Sequence, residues 1–359
     1  MGRLTFLDGL RGIALILMVI NHTSRDWLDA TVMPWERYYL VYASLLLPAP
    51  IFLFLAGFCL PIGYHRKPVD EPFVMRARRY LRRGIGIVAA GYLLNALLAI
   101  ELAEPRRLSS ARLAPDPPVW WGGVLQTIGL AIIVLGPMVP WLRSRANRWA
   151  LAGLAVLAYI VFTLASPALA AWTANHQISR AIFNDFPPWP WLSAAVLGLV
   201  LGWTWLDARA RGAAAERAFF VRVTLVGAAC VGLALVWEWL IPTAVAPRFG
   251  FPRDFSINRH WTPRGVTTVF IIGGVALLLS FTYWLMERRR VALGWLVVFG
   301  QTALMLYFTH QLIEMTLVSR ILGVRFDSWP LYIAANAIFL VLLVYVGRGW
   351  LAIKAWRAR

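Results

Sequence analysis

Ten long apolar runs constrain this chain more than any other feature. They lie at roughly 5–25, 38–62, 82–102, 119–141, 149–168, 190–206, 219–241, 265–286, 294–318 and 331–351, each close to the length of about 20 residues that a helix needs to cross hydrocarbon. None alternates with a two-residue period. Only helices and closed barrels satisfy their backbone in lipid, so strands are excluded as spans. With 60% hydrophobic and 14% charged residues, and a mean hydropathy of +0.65, the 359 residues carry more apolar surface than a soluble fold can cover. The same composition excludes disorder. The expected fold is an all-α integral membrane protein, one multi-pass domain of ten transmembrane helices with no separate soluble domain.

Charge sets the expected orientation. Lys and Arg total 35 and the net charge is +18, which on its own would suggest nucleic acid. Here the cations sit in short clusters between apolar runs, the pattern of cytoplasmic retention, so nucleic acid is rejected as a partner. One set of connecting segments, which includes both termini, carries 22 of them and the other set 12, with Arg11 inside the first run. The basic set, and with it the N- and C-termini, is expected in the cytoplasm. Many of the 19 Trp, such as Trp120-Trp121 and Trp189/Trp191, stand at run ends where indole meets the headgroups. Cys59 and Cys230 give neither a disulfide framework nor a metal-ligand spacing. The first run lacks a cleavage site, and Phe6 stands where myristoylation would need Ser or Thr, so neither leader nor lipid anchor is expected.

The first run is the most informative. It reads Leu7-Asp8-Gly9-Leu10-Arg11-Gly12-Ile13-Ala14 and ends Asn21-His22-Thr23-Ser24-Arg25-Asp26. Ionisable residues in a span are costly, and they face a cavity or each other. Asp8 and Arg11, three apart, can pair on one helix face as a structural pair. Eleven residues at about 100° each bring His22 back to within about 20° of the Arg11 direction, about 16 Å along the axis. One face thus carries a cation near the cytoplasm and an imidazole near the outer boundary. His22 also fits the plainer reading of an interfacial histidine at a helix end.

These residues resemble the membrane acyltransferase superfamily that O-acylates envelope glycans, whose first helix carries an Arg, ten residues, then a His. Arg11 and His22 match that spacing. The family's Arg-x-x-Arg at the start of the third helix is matched by Arg76/Arg79 and equally by Arg79/Arg82, with Gly84 and Gly86 where a Pro often follows. Pro50–Gly57, Gly123-Val124-Leu125-Gln126 and Thr302–His310 resemble the related heparan-α-glucosaminide N-acetyltransferase-like branch. The resemblance implies acyl-CoA, acetyl-CoA in the first instance, as co-substrate rather than a permanently bound cofactor. It implies transfer of the acyl group to a hydroxyl or amino group of an extracytoplasmic sugar or glycan, in a bacterial cytoplasmic (inner) membrane, with no metal.

Residue roles follow from the chemistry. Imidazole titrates near neutrality and suits His22 as general base, and Asp26, four residues on, can orient its ring. Asp26 equally fits a solvated helix end. Guanidinium matches phosphate oxygens, so Arg76, Arg79 and Arg82, with Arg11, are candidate donor-binding residues. The neighbouring Arg78 and Arg83 thicken the cluster, which also fits retention and contact with anionic membrane lipid. Gln126, Glu238, His310 and Glu314 share the outer half of their helices and are candidates for lining an acceptor cavity. His310 falls about 24 Å along a straight ninth helix, and Glu314 lies one turn beyond it. Asn95 reads as an interhelical hydrogen bond. No Ser or Cys stands in a nucleophile motif, which favours direct transfer. Buried charges and two histidines also suit a proton-coupled transporter, and a non-catalytic membrane partner of an envelope-assembly complex is a third reading.

Overall fold

The computed structural model describes residues 2–29, 32, 46–66, 72–99, 122–175, 188–240 and 265–358, apart from some side chains near helix ends, that of Glu238 among them. The helices are α1 (Thr5–Asp26), α2 (Pro48–His65), α3 (Phe73–Ala99), α4 (Val124–Leu135), α5 (Arg145–Asn175), α6 (Pro188–Ala210), α7 (Ala213–Leu240), α8 (Gly265–Thr282), α9 (Gly294–Gln301), α10 (Ala303–Gln311) and α11 (Trp329–Arg357). A 3-10 turn at Val139–Arg143 follows α4, and π-helical turns at Tyr283–Arg288 and Leu312–Ile321 extend α8 and α10. Among the described residues there is no strand, only an isolated bridge between Leu28 and Phe326.

Each of the ten apolar runs contains a helix. Among the described residues, seven helices are long and apolar enough to cross a membrane, and eight if the broken ninth run counts as one span. Three runs differ from their expected form. The third starts at Phe73, nine residues early, because its arginines are good helix formers, so the basic cluster lies inside the helix. The fourth contains an α-helix of only 12 residues, which ends before the 3-10 turn. The ninth is not straight: α9 and the α10 arm meet at 82°. The break falls at Thr302 (φ −110°, ψ 14°), whose amide and Oγ1 both donate to the Val298 carbonyl, at 3.1 and 2.6 Å.

Contacts divide the chain into two compact units, Met1–Leu55 with Asp207–Arg359, and Ala56–Leu206. In the first, α1 lies against α9 through glycines. A Cβ on Gly12 would run into the Leu296 carbonyl oxygen, and one on Gly300 into that of Asp8. Lipid is as apolar as a leucine side chain, so such close backbone approach, rather than a hydrophobic gain, holds membrane helices together. Gly227 and Gly273 serve α7 and α8 in the same way. At the start of α1, Glu287 accepts from Thr5 Oγ1 at 2.9 Å and from the Phe6 amide at 3.4 Å, capping free N–H groups with an anion. Beside it Phe220 stacks on Tyr283 (centroids 3.5 Å apart), with Phe6 edge-on to both. Near the other end, Thr23 Oγ1 donates to Asn336 Oδ1 at 2.7 Å and lies 3.2 Å from the Tyr332 hydroxyl, tying α11 to α1.

In the second unit α3 and α4 cross where Gly84 and Gly129 face each other's carbonyls. Gly57 meets the Ala195 backbone, and Gly202 the Phe58 carbonyl, bringing α2 and α6 together.

Candidate active site

The first unit gathers three titratable side chains at the far end of α1. Because α1 runs unbroken from Thr5 to Asp26, Arg11 and His22 keep one face. His22 lies with its ring centroid 5.3 Å from that of His310, and its Nδ1 is 3.8 Å from Glu314 Oε2, an ion-pair distance rather than a hydrogen bond. His22 is 19% exposed at its side chain, whereas His310 and Glu314 are fully buried. The π-helical segment after α10 carries Glu314; π turns occur often at functional sites, because the extra residue re-aims side chains.

The backbone sets the state of the second histidine. His310 Nδ1 lies 2.9 Å from the Leu306 carbonyl oxygen. A carbonyl only accepts, so Nδ1 carries the hydrogen, and Nε2 is the lone-pair nitrogen of the neutral ring. That Nε2 has no hydrogen-bond partner among the described residues. Trp27 Nε1 donates to the Glu314 carbonyl at 3.4 Å, and Ser319 Oγ to the same oxygen at 2.8 Å. The backbone of residues 27–29 pairs with Phe326 (Phe326 N to Trp27 O 2.6 Å, Asp29 N to Phe326 O 2.9 Å), closing this end.

The carboxylate facing His22 is therefore Glu314. Asp26 lies 3.5 Å from Arg25 Nε and against the Glu314 carboxyl. The straight-helix depth of His310 does not apply, since the axis turns at Thr302. His310 meets His22 because the α10 arm returns to α1. The Asp8–Arg11 pair is present at 3.1 Å, and Arg3 joins Asp8 at 2.7 Å. Arg11 Nη1 also donates to the Gly300 carbonyl at 3.3 Å.

The other candidates belong to the second unit, with one exception. Arg76 is buried, its Cζ 4.4 Å from the ring centre of Tyr64, while Arg79 is half-buried and Arg82 exposed. At 100° per residue, positions 76 and 82 point about 120° apart, so the cluster does not form one face. Arg143, distant in sequence, brings its Cζ within 5.0 Å of the same Tyr64 ring. Gln126 accepts from the Gly123 amide at 3.1 Å, capping α4, and packs against Gly91 of α3; its Nε2 has no hydrogen-bond partner among the described residues. Glu238 is the exception: it falls in the last turn of α7, in the first unit, and its side chain lies outside the described residues.

Tyr64, Arg143, Thr302 and the Thr23–Tyr332–Asn336 cluster were not singled out from sequence. Asn336, a polar residue in the last apolar run, was the available signal for the cluster. Nothing local links Tyr64 to Arg143.

A chain whose described residues are helical and include several apolar spans is a multi-pass membrane protein. Residues 3–237, more than half of the chain, match the family described as heparan-alpha-glucosaminide N-acetyltransferase, catalytic, and the chain belongs to that family. The protein is accordingly an acyltransferase, which selects the enzyme over the transporter and the non-catalytic partner. No curated protein matches the chain by sequence.

Proposed function

We propose that this membrane acetyltransferase moves an acetyl group from cytoplasmic acetyl-CoA to an amino or hydroxyl group of a sugar on the opposite side of the membrane, with His22 as general base. The observation that carries the reading is the juxtaposition of His22 with Glu314 and His310 at one end of α1. With Nδ1 turned to Glu314, His22 takes the acceptor's proton at Nε2. The acceptor nitrogen or oxygen then attacks the thioester carbonyl, the C–S bond breaks, and the proton passes to the departing thiolate. Glu314 stabilises the imidazolium that forms and fixes its ring, the role that helical spacing alone would give Asp26. His310 lines the acceptor side. Arg79 and Arg82, about 60° apart on α3, hold the CoA phosphates, and Arg76 and Arg143, both against the Tyr64 ring, add positive charge beside them.

The test is turnover by the purified full chain in detergent, with acetyl-CoA and a glucosamine-terminated oligosaccharide as probes. CoA thiol release that requires the sugar, together with a mass increase of one acetyl group on it, is the expected result. Sugar-independent or absent release, with glucosamine and with hydroxyl-only sugars alike, would overturn the proposed acceptor class.

A further inference from the structure

We infer that Arg11 is a positioning residue, which clamps the broken span so that the arm bearing His310 and Glu314 lies against His22. The last carbonyls of any helix lack intrahelical partners, and a cation there is favoured by the helix dipole. α9 ends at Gln301, and Arg11 supplies both, donating from Nη1 to the Gly300 carbonyl at 3.3 Å. Its guanidinium is held in turn by Asp8, which is buried and also takes Arg3. The same place is pinned by backbone contact, since Gly300 has no room for a Cβ against the Asp8 carbonyl. Past the 82° bend, the α10 arm meets the same helix again through His310 and Glu314.

This gives the Arg-to-His spacing of α1 a physical meaning. Eleven residues return to the same helix face about 16 Å further on. The broken span touches that one face twice, at its bend through Arg11 and beyond it at His22. Arg11 acts on the reaction through the bend, and the donor's phosphates have no part in its role. The catalytic half of this inference rests on the proposed role of His22; the clamp itself does not.

The test separates the two. Spin labels are placed at Trp295 on α9 and Leu317 on the π-helical arm, both exposed, in a full-length chain with Cys59 and Cys230 replaced by Ser. Their distance distribution, read by pulsed electron resonance, reports the bend. Arg11→Ala should broaden and shift it by several ångström, and Arg11→Lys should restore part of the native distribution. In unlabelled protein Arg11→Ala should lower kcat about 10²-fold, the loss expected when a reacting group moves by about an ångström, with KM for acetyl-CoA unchanged. Should Arg11→Ala fail to insert, Arg11→Gln, which keeps a donor but loses the charge and the fork, is read by the same criteria. An unchanged distribution overturns the clamp whatever the activity does, and if KM for acetyl-CoA rises as well, Arg11 is a donor ligand. If the native protein transfers no acetyl group, the proposed function fails while the distances still decide the clamp.

Discussion

Replacing Glu314 with Gln changes almost no volume and removes the one group beside His22 that can carry a negative charge once the imidazolium forms, and so isolates what that group does. When His22 takes a proton, a positive charge appears 3.8 Å from Glu314 Oε2. At an effective dielectric constant of about 20, an ionised Glu314 attracts that charge by at most about 4 kcal/mol. At about 1.4 kcal/mol per tenfold, loss of that attraction lowers kcat by up to about 10³-fold. KM for acetyl-CoA should stay constant, because the proposed phosphate contacts are made by other residues. Gln keeps the volume of Glu314 and adds no charge beside Asp26, so folding should survive, and gel filtration in detergent checks this. The assay is release of CoA thiol with the glucosamine-terminated probe, normalised to folded protein. Glu314→Asp withdraws the carboxylate by one methylene and should fall between. A Glu314→Gln enzyme with native kcat would refute the pairing of Glu314 with a charged His22.

Removing a general base typically slows a reaction about 10²–10⁴-fold, so His22→Ala should lose that much turnover per folded molecule and His310→Ala less; the reverse order would exchange their roles. Neutralising Arg76, Arg79 and Arg82 together should raise KM for acetyl-CoA steeply, since each charge-assisted contact contributes about 1.5–3 kcal/mol, and an unchanged KM in inserted protein would return the cluster to topology and lipid. Orientation is checked by cysteine labelling of intact cells: a cysteine at Ser144 should be protected from an impermeant reagent and one at Asp327 should react, and the opposite pattern would invert donor and acceptor sides.

Hydrophobicity made the helices legible because every apolar run has to hide its backbone from lipid in the same way. The 82° break was not legible, since run 294–318 carries no proline and Gly300-Gln301-Thr302 is too short an interruption to mark a bend. Gly300 reads locally as a tolerated helix glycine, and only the Asp8 carbonyl lying against it shows why it must be one. His22, His310 and Glu314 could each be picked out as polar residues where polarity is costly. Their grouping came from tertiary structure: the sequence offered Asp26 as the nearest carboxylate to His22, and the return of the α10 arm supplied Glu314 instead. The basic cluster shows the opposite limit. Its arginines were plain in the sequence, but the burial of Arg76 under Tyr64 and the arrival of Arg143 depend on segments far apart along the chain.

The contact between Thr23, Tyr332 and Asn336 sets insertion against assembly in the last helix. Most of the apolar surface of α11 faces outward, with Leu331, Ile333, Ile338 and Val341 all exposed. An apolar helix gains little by leaving lipid for protein, so the hydrogen bonds to Thr23 contribute much of what keeps α11 beside α1, about 1 kcal/mol for an interaction of this kind. Asn336 makes the segment a poorer substrate for membrane insertion while giving it an address once inserted. Exchanging it for leucine would yield a helix that enters the bilayer more readily and then drifts in it, so a protein could be better made and worse assembled through the same substitution.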